Sequence, residues 1–64
     1  MTNQINKDAT FTALGKQAGH CNWLGDHAGA KFHREHFQRC LNVEPDSDRQ
    51  RLRTLFNDAY KAEN

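Results

Sequence analysis

The sequence predicts an all-α protein, a small three-helix bundle or helical hairpin with helices over about 9–23, 27–41 and 48–61. Three observations carry this expectation. Leu52, Leu55, Phe56, Ala59 and Tyr60 stand at i, i+3, i+4, i+7 and i+8, the spacing of one helical face. No run of alternating apolar and polar residues marks a strand. The helical pattern is interrupted at Gly25-Asp26 and at Pro45, residue types that close one helix or open another.

The chain has 64 residues, a formal net charge of +1 and a mean hydropathy of -1.01. A chain of about 60 residues buries only around 60% of the surface exposed on unfolding, so its core is thin. A second copy, a partner or a metal is expected to add stability. Residues 1–7 are polar, lack structural periodicity and read as a flexible N-terminal tail; 8–64 form one domain. Asp8 or Thr10 is expected to cap a first helix that begins near Ala9 or Phe11.

That helix contains Leu14-Gly15-Lys16-Gln17-Ala18-Gly19, and the same pattern, LGxxAG, recurs ten residues later as Leu24-Gly25-Asp26-His27-Ala28-Gly29. All four glycines of the chain lie in these two segments. Each costs roughly 1 kcal/mol against alanine in a helix interior, so close backbone approach or a turn is required. On one unbroken helix the two copies would point about 80° apart and form no common glycine stripe. A continuous helix would instead align Phe11, Leu14, Ala18, Cys21, Gly25, Ala28, Phe32 and His36. Gly25 suits the residue after a helix and Asp26 the cap of the next, which favours two helices.

In the second helix, an apolar face runs from Phe32 through His36, Cys40, His33 and Phe37 to Leu41. Asn42 is expected to end it in the left-handed conformation, with Pro45 blocking continuation. Ser47 and Gln50 form a capping box for the third helix, with Asp48 in its first turn.

Histidine and cysteine are zinc ligands, which makes Cys21, His33, His36 and Cys40 an alternative metal set. The spacing matches no recognised finger, and His33 and Cys40 stand about 10 Å apart along the helix. The favoured reading has no cofactor: the cysteines act as small apolar residues and the histidines line a polar seam. A Cys21–Cys40 disulfide is a further alternative. No nucleophile motif or carboxylate pair points to catalysis, and no enzyme is expected. Arg49, Arg51 and Arg53 at the start of the third helix make a DNA-binding regulator an alternative, although Asp46 and Asp48 flank the same end and would repel phosphate. The absence of a long apolar run excludes a membrane span, and cysteine usage points to the cytoplasm.

The functional expectation is therefore a small non-enzymatic protein that binds another protein as adaptor, inhibitor or regulator, a size class common in phages and mobile elements. Trp23, Lys31, Arg34, Phe37 and Arg39 are the candidate contacts. Self-association is expected through the small-residue seam of that Phe11-to-His36 stripe, and the spacings Gly15/Gly19 and Gly25/Gly29 permit close helix crossing.

Overall fold

The computed structural model describes residues 6–64, which form α1 (Lys7–Trp23), α2 (His27–Asn42) and α3 (Asp46–Glu63). No strand occurs among the described residues, and the protein is an all-α three-helix bundle. Arg51 of α3 meets Asp8 of α1 at 3.2 Å, and at the opposite end Asn22 donates to Asn64. The two helices therefore run parallel. Phe11 packs on Phe37 and Cys21 lies beside Gly29, so α2 runs antiparallel to α1.

Residues 1–5 of the expected tail lie outside the described residues. Asn6 and Lys7, assigned to the same tail, instead open α1. The Asn6 carboxamide oxygen accepts from the Ala9 amide at 3.2 Å, which displaces the expected caps Asp8 and Thr10. Lys7 is held by Glu44 at 2.8 Å, an acid supplied by the α2–α3 turn. The helix begins early because distant carboxylates anchor its first residue.

Between α1 and α2 the chain breaks where the sequence places the break. Gly25 takes φ +81°, and its amide donates to the Asn22 carbonyl while the Asp26 amide donates to the Cys21 carbonyl, at 3.1 and 2.8 Å. This pair of bonds is the Schellman closure, which needs a left-handed residue after the helix. The Asp26 carboxylate then accepts from the Gly29 amide at 2.9 Å and caps α2.

The second corner differs from expectation in two ways. Asn42 remains helical, and no residue other than glycine has positive φ among those described. The freed carbonyls are satisfied from outside: Arg49 donates to the oxygens of Asn42 and Glu44, at 3.1 and 3.0 Å. The Ser47–Gln50 capping box is also absent, because α3 starts at Asp46 with Pro45 as its cap residue and no side-chain cap bond. Pro45 presents its carbonyl to the amides of Asp48 and Arg49, while Asp46 and Asp48 place negative charge in the first turn.

The core is Phe11, Leu14 and Ala18 of α1, Phe37 and Leu41 of α2, and Leu52 and Phe56 of α3. Phe37 stacks on Phe56 with ring centroids 3.9 Å apart and meets Phe11 edge-on at 5.7 Å. The expected α3 face is present, with Leu55 and Tyr60 partly buried at its margins. Helix α1 is the central element, and α2 and α3 touch each other little. A Cβ at Gly15 would run into the Phe56 carbonyl oxygen and come within 3.0 Å of the Ala59 Cβ; one at Gly19 would strike the Tyr60 carbonyl oxygen. The first LGxxAG thus seats the α3 backbone directly on α1.

Candidate functional site

Among the described residues, four large apolar side chains stay outside the core: Trp23, Leu24, Phe32 and Val43, with 66, 61, 58 and 81% of their surface exposed. Trp23 ends α1 about 140° around the helix from Ala18, beyond the reach of either neighbour. Its indole lies parallel to the His20 ring at 6.3 Å. Leu24 occupies the Schellman turn and projects from the same end of the molecule.

Helix α2 exposes Lys31, Arg34 and Arg39 against a single acid, Glu35. Lys31 and Glu35 are 3.9 Å apart, and Arg34 and Arg39 have no ion pair among the described residues. Phe37, expected beside them as a contact, is instead buried between Phe11 and Phe56. The buried arc of α2 is Ala30, Phe37 and Leu41, with His33 and Cys40 at its edge. Phe32 and His36, expected on that face, fall outside it. A face running from Phe32 to Leu41 spans about 180° of helix surface, and α1 covers only one side of it. The wheel carries the signal: Phe32 stands about 140° from Phe37.

A shallow pocket of about 180 Å³ opens where α1 begins and α2 ends, lined by Lys7, Thr10, Phe11, Cys40, Val43 and Glu44. Its Lys7–Glu44 rim is electrostatically matched. The hydrogen bond and charge of Glu44 raise the Lys7 ammonium above its ordinary value of 10.5. The pairing therefore supports the fold below that value, and its contribution is lost as pH rises through the raised one.

The alternative sites are not assembled. No group of three or more His, Cys, Asp and Glu side chains stands within reach of one ion among the described residues. Cys21 lies against Gly29, whereas Cys40 lines the pocket eleven positions further along α2, about 16 Å away on the helical rise. That separation keeps Cys21, His33, His36 and Cys40 from converging and forbids the Cys21–Cys40 bridge; both thiols are free. The His33 Nδ1 is buried without a hydrogen-bond partner.

At the start of α3 the arginines are committed within the chain. Arg49 pairs with Asp46 at 2.8 Å and holds the α2 end, and Arg51 pairs with Asp8 and Asp48. Arg53 is exposed and without an ion pair among the described residues. The seam expected to mediate self-association is broken at Gly25 and has Phe11, Leu14 and Ala18 in the core, while Gly15 and Gly19 are buried under α3. None of the described helices is long and apolar enough to cross a membrane. Comparison with known families, curated proteins and solved structures finds no match to this chain.

Proposed function

We propose that this chain is a small non-enzymatic protein that acts by binding another protein, with Trp23 as its principal anchor and the cations Lys31, Arg34 and Arg39 as polar contacts. The observation that carries this reading is the exposure of Trp23 at the end of a helix, flanked by exposed Leu24 and stacked on His20. Exposed tryptophan and arginine are the residue types that dominate binding energy at protein interfaces. The pocket supports the same reading by its size. At about 180 Å³ it is smaller than the roughly 300–1,000 Å³ of small-molecule sites.

The nucleic-acid alternative draws less support, since Arg49 and Arg51 are neutralised by Asp46, Asp8 and Asp48 at the helix end that would face phosphate. The test is affinity capture of host-extract proteins on the wild-type chain and on a Trp23→Ala variant, with mass spectrometry of the eluates. A stoichiometric partner retained by wild type and lost by Trp23→Ala is the expected result. Equal recovery on both baits, or no partner together with turnover of a small molecule, overturns the reading.

A further inference from the structure

Helix α2 presents a second surface that shares only Arg39 with the proposed partner contacts and does not include Trp23. With Phe32 at 0° on the helical wheel, Glu35 falls near -60°, Arg39 near -20°, Val43 near +20° and His36 near +40°. All five therefore share a sector about 100° wide on the exposed side of α2. The stripe carries an apolar knob, Phe32, at one end. At the other end Val43 is both a member of the stripe and a wall of the pocket that also includes Cys40, Thr10 and Phe11. The Phe32 ring is 58% exposed and pairs with the rings of His33 and His36 on its own helix, at centroid distances of 5.4 and 6.4 Å.

We infer that this stripe binds a second copy of the chain, with α2 packed antiparallel on α2 about a twofold axis near position 37 and Phe32 of each copy set against Val43 of the other. Phe32 and Val43 lie on one stripe about 16 Å apart along the helix and are 58 and 81% exposed. An isologous interface needs this arrangement, because each contact occurs twice with the roles exchanged.

Charge fixes the same register independently. Centring the antiparallel pair on position 37 sets Phe32 opposite Asn42 and next to Val43. The same centring sets Glu35 opposite the partner's Arg39, twice per dimer. Within one chain Glu35 has only Lys31 at 3.9 Å, and Arg39 has no ion pair among the described residues. A single axis thus covers Phe32 of both copies and pairs both sets of charges. The surface is distinct from Trp23, so this dimer and the binding of another protein stand or fall separately. The contact is confined to one helix, at the low end of interface sizes, and its association is concentration-dependent.

Sedimentation of the full chain across a concentration series, with Glu35→Arg, Arg39→Glu and Phe32→Ala variants, tests the inference. Wild type is expected to show reversible dimers, and Phe32→Ala to associate at least about tenfold more weakly. Far-UV circular dichroism should be unchanged, since residue 32 lies outside the core. Each charge variant alone sets like charges against each other and should be monomeric. An equimolar mixture of Glu35→Arg and Arg39→Glu chains restores both opposite-charge pairs and should regain the dimer. A wild-type chain that stays monomeric to about millimolar concentration overturns the inference. So do dimers that persist in the single variants, or a mixture that does not re-associate. Capture of a different protein that is lost on Trp23→Ala substitution would leave the proposed function standing in any of those cases.

Discussion

Leu14–Gly19 and Leu24–Gly29 share one sequence pattern and do opposite work. In the first segment Leu14 and Ala18 are core residues, and Gly15 and Gly19 lie under the backbone of α3. In the second, Leu24 is exposed in a turn, Gly25 takes φ +81° in open space, and Gly29 donates its amide to the cap of α2. One copy removes side chains so that two helices can approach; the other frees the backbone so that the chain can reverse. The comparison teaches that a glycine's role depends on what stands opposite its missing Cβ. At Gly15 that is a carbonyl oxygen of another helix, and at Gly25 it is solvent.

The leucines give the largest expected contrast. Leu14→Ala removes a buried side chain and is expected to destabilise by about 2–5 kcal/mol, whereas Leu24→Ala should stay within about 0.5 kcal/mol. Urea titration of the two variants checks this, and similar midpoints would collapse the distinction between the copies.

The glycines separate the two roles by mechanism. Gly15→Ala adds a methyl group against the Phe56 carbonyl. Overpacking of about 1–3 kcal/mol then opposes a helix-propensity gain of about 1 kcal/mol, leaving a net loss of about 0–2 kcal/mol, toward the upper end because the added carbon meets backbone. Asparagine at the same position is expected to be worse, because it is larger. Gly25→Ala meets no atom within 4 Å but must hold positive φ, a strain of roughly 1–2 kcal/mol. Gly25→Asn should recover much of that loss, since asparagine tolerates the left-handed region. Thermal melts of the four variants read the pattern. Rescue by asparagine at position 15, or none at position 25, would reverse the assignment.

Much of this fold was legible in the sequence, and the reasons are local. The Gly25-Asp26 break and the α3 face rest on backbone conformation, capping and helical spacing, which a few neighbouring residues determine. The α1 start was misplaced because its anchor, Glu44, arrives from 37 positions away. The α2 end was misplaced for the same reason, as Arg49 satisfies carbonyls that a left-handed asparagine would otherwise have served. Among the candidate contacts, Trp23 and the three cations stayed at the surface while Phe37 became the centre of an aromatic stack.

The interaction surfaces divide along the same line. Composition and spacing alone determined that the chain is helical, that its core is thin, and that four glycines must mark close approach or reversal. Only the tertiary structure decided which side of α2 faces α1. That choice buried Phe37, left Phe32 outside and placed Val43 at the mouth of a pocket. A helical wheel ranks directions around an axis but carries no record of where the neighbouring helices stand. With α1 lying between them, α2 and α3 cover little of each other, and the uncovered arc of α2 became a surface.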